Sequence, residues 1–344
     1  MENWEEEPGW EALDLELDQV EIVCVQAVGK KYSIIEVCRV LIAAALNVEL
    51  QWLENNMIIS VASGKGGTGK TLVATSLAMS IKDSGQVQYL DCDVEEPNGH
   101  VLMKPVFTHS EPVSIPVPKV NEAKCNFCSK CAEVCAYHAI AVFPKNVLVF
   151  PQLCHGCGAC SYLCPEKAIS EEMKHIGIVE SGHANGIVCV HGKLSIGEAM
   201  PTPVIRMVKS RIKRNDNVII DVSPGTSCPV VESVKDSDFC LLVTEPTPFG
   251  LNDLILAVET VRELRIPCGI VLNRVGIGNS EVIDFCQKEN LPILLSIPID
   301  IEFARNYSRG ITLVQGIPEW KARFIKLFEQ VQEIVSERNS CLKR

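Results

Sequence analysis

Apolar runs four to six residues long alternate with amphipathic stretches over most of the chain. Met57–Ala62 is one such run; a glycine-rich turn follows, and then LVATSLAMSIKDSG, whose pattern predicts a helix ending near Gly85. Val87–Leu90 predicts a second short buried strand. Beyond residue 186 the pattern predicts strands at Ile187–Val190, Val218–Val222, Phe239–Thr244, Gly269–Leu272 and Ile293–Ile297, with helices at Val204–Lys213, Leu251–Leu264 and Glu281–Glu289. Strands apolar on both faces, alternating with amphipathic helices, imply an α/β fold: a doubly wound, mainly parallel sheet covered on both sides.

The pattern breaks between Met103 and Pro118, where proline and serine accumulate, and a cysteine-rich region follows and ends near Ser170. This is how an insertion reads. Residues 57–110 and 171–340 are expected to form one domain, and residues 111–170 a small α+β domain placed within it. Residues 1–56 fit neither part. They hold 12 acidic and three basic side chains, and are expected to be an upstream extension, non-native and poorly ordered at least to Val20, with Met57 as the natural start.

The extension changes how the charge is read. The whole chain has 43 acidic and 32 basic side chains and a formal charge of −11 over 344 residues, yet residues 57–344 carry only −2. With no basic patch evident, no nucleic-acid partner is expected. Of 17 cysteines, eight lie between Cys125 and Cys164 and the others are scattered, which suits a reducing, cytoplasmic setting better than a secreted disulfide scaffold. The apolar run Val40–Leu46 is far shorter than the roughly 20 residues of a membrane span. No membrane partner is expected.

Gly64-Lys65-Gly66-Gly67-Thr68-Gly69-Lys70-Thr71 satisfies G-x4-G-K-[ST] between a strand and a helix. Backbone N–H groups of such a loop surround phosphate oxygens, the lysine at position 70 reaches the β and γ phosphates, and the threonine at 71 is placed for Mg²⁺. The second lysine, Lys65, makes the motif resemble the deviant P-loop of the MinD/ParA family, to which the nitrogenase iron protein also belongs. The resemblance implies that Lys65 crosses an ATP-dependent homodimer to the partner's nucleotide. Leu90-Asp91-Cys92-Asp93-Val94-Glu95-Glu96-Pro97-Asn98 is similar to that family's switch I. By position, Asp93 would orient the attacking water, Asp91 would support Mg²⁺ through water, and Asn98 would lie near the nucleotide at the dimer interface. Val218–Asp221 followed by Ser223-Pro224-Gly225 resembles Walker B and switch II, with Asp221 on the water shell of Mg²⁺. Asn273 is the family-type candidate for the base, with a simple strand cap as its other reading. No guanine-type Asn-Lys-x-Asp motif occurs, so ATP is placed above GTP.

C-x2-C-x2-C-x3-C occurs twice, at Cys125, Cys128, Cys131, Cys135 and again 29 residues on at Cys154, Cys157, Cys160, Cys164. Soft thiolates at this spacing suit [4Fe–4S] clusters, whereas zinc sites usually pair C-x2-C motifs over a longer gap. The repeat resembles a bacterial two-cluster ferredoxin, in which the fourth cysteine of each run serves the other cluster. That implies Cys125, Cys128, Cys131 and Cys164 for one cluster and Cys154, Cys157, Cys160 and Cys135 for the other. Ala136 departs from the proline that follows the repeat's last cysteine, which Pro165 keeps.

Other features carry less. Cys228, just after switch II, reads as a buried small residue, or else as a metal or cluster contact across a dimer; Cys92 has the same two readings. His183 and His191 around Cys189 read as turn and strand-end histidines. Trp320, Phe324, Leu327, Phe328, Val331, Ile334 and Val335 form the apolar stripe of a last helix, expected to dock on the fold rather than on a membrane. Together these readings point to an ATPase whose switched homodimer gates electron transfer from two clusters to a redox or metallocofactor partner. An iron–sulfur carrier of the Mrp/Nbp type and a positioning ATPase with a redox-sensing ferredoxin are the alternatives. The carrier type uses a late C-x-x-C pair, and no such pair follows Cys164.

Overall fold

The computed structural model describes residues 56–276 and 278–342; the expectations for the N-terminal extension fall on residues outside it, Asn56 apart. A nine-stranded sheet forms the body, in the order β11-β10-β9-β1-β8-β2-β7-β6-β3. Seven strands are parallel: β1 (Ile58–Ala62), β2 (Val87–Asp91), β7 (Ile187–Leu194), β8 (Asn217–Asp221), β9 (Phe239–Thr244), β10 (Cys268–Val275) and β11 (Ile293–Pro298). β3 (Val106–Val120) and β6 (Ile169–Ala184) add an antiparallel edge. Alternate residues of β1 enter two cores: Ile59 and Val61 on one face, Ile58 and Ala62 on the other.

The first face is covered by α1 (Lys70–Ile81), α10 (Leu313–Gly316) and α11 (Trp320–Leu342), whose Trp320, Phe324, Leu327, Phe328 and Val331 are buried there, with Ile334 and Val335 packed alongside. The apolar stripe of the last helix is thus spent inside the fold. Among the described residues no helix is long and apolar enough to cross a membrane. The opposite face is covered by α5 (Thr202–Lys209), α6 (Cys228–Val234), α7 (Pro248–Glu263) and α8 (Glu281–Lys288). Helix α5 ends at Lys209, four residues before the expected Lys213. There Arg211 N–H and Ile212 N–H turn back to Val208 and Lys209 carbonyls and steer the chain toward β8. A short helix α2 (Gly99–Met103) follows β2, and α9 (Ile301–Ser308) follows β11.

The Pro- and Ser-rich stretch read as the boundary of an insertion forms strand β3. Its prolines Pro112, Pro116 and Pro118 are tolerated because β3 is the last strand of the sheet, with one side unpaired. The register of this edge has a consequence. Gly177 of β6 lies opposite Leu194, the last residue of β7, while Val113 of β3 lies opposite Gly177 and Val120 opposite Ile169. The two strands therefore continue past the carboxyl end of the parallel sheet for seven residues, about 23 Å at strand rise. This stem carries the cysteine module: α3 (Lys130–Glu133), the hairpin β4 (Ile140–Phe143) and β5 (Asn146–Val149), and α4 (Ala159–Tyr162).

Candidate nucleotide site and cysteine quartets

The turn between β1 and α1 lies at the carboxyl end of the sheet, where β1 has β8 on one side and β9 on the other. Open α/β sheets bind ligands at such a point. Two glycines here are sterically required. A Cβ on Gly64 would fall 2.1 Å from the Asp253 carbonyl oxygen; Gly69, at φ +96°, would place one 2.3 Å from Asn273 Nδ2. The loop is braced on both sides. Asn273 Nδ2 donates to the Thr68 carbonyl at 2.7 Å, Ser63 Oγ to the Lys65 carbonyl at 2.5 Å, and Gly225 N–H, in the turn after β8, to the Ser63 carbonyl at 3.0 Å. Asn273 Oδ1 accepts from Arg274 N–H, so this side chain caps its strand and also supports the phosphate loop.

Lys70 is buried among Asp221, Asp93 and Asp91. Burial lowers its pKa and the three carboxylates oppose that. Burial pushes Asp93 up to about 6, with the Asp221 charge adding and Lys70 opposing. Asp221 is likewise raised to about 6 by burial, against the Thr71 side chain, Lys70 and the Tyr89 hydroxyl. Asp91 is raised by burial and then by Asp221. Two buried carboxylates, Asp91 and Asp221, and the half-buried Asp93 around one lysine leave negative charge that a divalent cation would relieve. Asp221 Oδ2 accepts from Tyr89 at 3.0 Å, while Asp221 Oδ1 and Thr68 Oγ1 are buried without a partner. An unpartnered carboxylate oxygen beside Thr71 fits the hard-oxygen preference of Mg²⁺. Asp91 spends its oxygens on Asp93 N–H (3.1 Å) and Gly99 N–H (2.9 Å), which shapes the Asp91–Gly99 turn. Asn98 is exposed at the start of α2, lining an open cavity with Glu96, His100 and His191.

The eight cysteines gather around two cavities. Cys125, Cys128, Cys131 and Cys164 line one; Cys154, Cys157, Cys160 and Cys135 line the other. Among the described residues no three His, Cys, Asp or Glu side chains converge to hold a single metal ion; each set of four sulfurs surrounds a space. The halves repeat each other in backbone detail. Phe127 N–H donates to Cys125 Sγ and Gly156 N–H to Cys154 Sγ, both at 3.4 Å; Ala139 N–H and Ala168 N–H donate to Cys135 and Cys164 Sγ, both at 3.3 Å. The departure at Ala136 leaves this geometry unchanged. The left-handed positions also match at the 29-residue offset: Phe127 with Gly156, Ser129 with Gly158, His138 with Lys167. A phenylalanine at φ +55° is held against its preference so that its amide faces sulfur. Amides aimed at sulfur stabilise the thiolate form, so this donor set fits iron–sulfur clusters.

Residues 59–314 match the nucleotide-binding domain shared by CobQ, CobB, MinD and ParA. The chain belongs to this family. It is 32% identical over 285 residues to an uncharacterized protein of Methanocaldococcus jannaschii, covering 81% of this chain and 98% of that one. It is 26% identical over 302 residues to an iron–sulfur cluster carrier protein of Pyrococcus horikoshii, covering 81% and 86%. The septum site-determining protein MinD of the same organism, solved with Mg-ADP, shares the fold at TM-score 0.50 and 19% identity, over 81% of this chain and 97% of that one.

Within this MinD/ParA-type fold, motif reading missed Glu245, at the end of β9. Its nearly buried carboxylate takes Lys65 Nζ at 3.5 Å and Arg274 Nη1 at 2.5 Å. Only its acidic type at a strand end marked it. Cys228, read as buried, is exposed, because the turn after β8 delivers it to the surface in the first turn of α6. Cys92 and Cys189 are core residues. His191 is not a strand-end residue but lies within β7. It is buried against Phe107, its Nε2 is 2.9 Å from Glu180 Oε2, and burial holds its pKa down. His183 is exposed near the end of β6.

Proposed function

We propose that the protein binds and hydrolyses ATP with Mg²⁺, closing as a homodimer in its ATP state, and that this cycle gates electron transfer from two [4Fe–4S] clusters to a partner metalloprotein or a metallocofactor under assembly in the cytoplasm. The observation that carries this reading is the stem: it stands on the same end of the sheet as the phosphate loop, so both cysteine quartets share an end with the switches. Backbone amides of Gly64–Thr71 and Lys70 would hold the phosphates. Thr71 and Asp221 would hold Mg²⁺, with Asp91 supporting through water. Asp93 would orient the attacking water, and Asn98 would lie at the dimer interface. Lys65 would leave Glu245 for the partner's nucleotide. Asn273 has a second amide hydrogen for the base beside the one given to Thr68. When bound, the clusters supply single-electron transfer; the eight cysteines ligate them and the four amides described above tune them.

Anaerobic reconstitution should load about eight irons per chain, and ATP hydrolysis should then differ between reduced and oxidised protein. Equal rates in both states, with no effect of nucleotide on cluster potential, would remove gating. A second reading, a cluster carrier, is favoured by the exposure of Cys128 and Cys157 and by the names of the relatives at 23–26% identity. It is opposed by the lack of a C-x-x-C pair after Cys164. Labelled iron passing from the loaded protein to an apo-acceptor would select it.

A further inference from the structure

The stem leaves the sheet as a two-stranded ribbon whose Ile115, Val117 and Ile176 are buried in the core, and a set of polar bonds adds a lateral brace between the body and the cysteine module. The bonds that supply one start in switch I. Val94 is buried there, packed so closely on Gly192 that a Cβ at 192 would lie 2.7 Å from Val94 Cγ1. Its carbonyl accepts from Leu194 N–H, the end of β7, at 2.8 Å. The next residue, Ser195, donates its N–H to the Ile176 carbonyl on the stem at 2.9 Å, and Glu198 N–H turns back to Ser195. Glu198 Oε2 then meets Lys174 Nζ of β6 at 2.7 Å, with both side chains four-fifths buried or more. The same ammonium reaches the Pro151 carbonyl at 3.5 Å, three residues before Cys154. Switch I, the end of β7, the stem and the segment leading to Cys154 are therefore linked in series, with the last two contacts made by Lys174.

We infer that the Lys174–Glu198 ion pair is the strut through which nucleotide-driven movement of switch I reaches the second quartet, Cys154, Cys157, Cys160 and Cys135; this rests on the gating reading above. Lys174 and Glu198 touch neither nucleotide nor sulfur, and they act as positioning residues. A largely buried pair of this kind holds one geometry, whereas an exposed pair would contribute little. Displacing Val94 would draw the Ser195–Glu198 segment with it, and Lys174 would move the Pro151–Cys154 segment.

The test is a redox titration of the full-length protein, reconstituted anaerobically and followed by EPR, with and without MgATP. Cys157→Ser identifies the wave that belongs to the second quartet. In the wild type that wave should shift with MgATP, a tenfold coupling reading as about 59 mV for one electron. Lys174→Met should abolish the shift while iron content and ATP affinity stay at wild-type values. Lys174→Arg, which keeps a cation able to donate to both Glu198 and the Pro151 carbonyl, should retain it. If Lys174→Met fails to load iron, Glu198→Gln is read in its place. A shift that persists in the loaded variant overturns the strut alone. No shift in the wild type overturns gating as well, so the two failures are distinct.

Discussion

Lys65 and Glu245 form an ion pair within one chain, and Arg274 holds the other oxygen of the same carboxylate. A buried carboxylate left with no cation would be costly. With two, it can release Lys65 and stay neutralised by Arg274, so the lysine is free to cross to a second protomer. Lys65→Ala should therefore abolish ATP-dependent dimerisation, measured by light scattering, while leaving the cluster EPR signals intact. A variant that still dimerises with ATP would remove the crossing role.

Asn273 ties the end of β10 to the phosphate loop through its bond to the Thr68 carbonyl. Asn273→Ala removes that brace and leaves a buried carbonyl unsatisfied, a loss of about 1–3 kcal/mol. ATP affinity measured by calorimetry should fall by up to roughly 5- to 150-fold. An unchanged affinity would show that the loop holds its shape without Asn273.

Asp93 and Asp221 hold protons up to about pH 6 in the fold, against about 3.9 for a free aspartate. Across that window the folded chain binds more protons than the unfolded chain, so stability falls as pH rises and the loss is complete by pH 7. Asp93→Asn removes one of these charges. At pH 7 the nucleotide-free variant should melt a few degrees above the wild type, with the gap closing toward pH 4, while ATP hydrolysis falls about 100-fold or more. A melting temperature lowered at pH 7 would contradict the strained-carboxylate account.

The parallel body was legible in the chain because each central strand is apolar on both faces and each helix is flanked by turn chemistry; Val218–Asp221 and Phe239–Thr244 sit within a residue of where the pattern puts them. The stem was not, because β3 carries three prolines and its pairing partner β6 lies across the whole cysteine region, a separation that no local pattern reveals. The phosphate loop announces itself through spacing. Glu245 does not, since a lone acid at a strand end has many ordinary uses, and only the convergence of Lys65 and Arg274 singles it out. Likewise, the repeat shows eight cysteines, but that Phe127 adopts the glycine-like conformation of Gly156 is a property of the folded backbone.

Cys164 shares its cavity with Cys125, Cys128 and Cys131, while Cys135 shares one with Cys154, Cys157 and Cys160. Each run of four therefore divides between the two cavities. Substitution should reveal the crossing. Cys125→Ser and Cys164→Ser should alter the same EPR signal and spare the other, and Cys154→Ser and Cys135→Ser should alter the second. Loss of a thiolate should also lower iron content toward about four per chain in the anaerobically reconstituted protein. If Cys164→Ser instead alters the signal changed by Cys154→Ser, each run serves one cluster. The pairing would then be sequential, and the amide bonds to Cys135 and Cys164 would tune the clusters of their own runs.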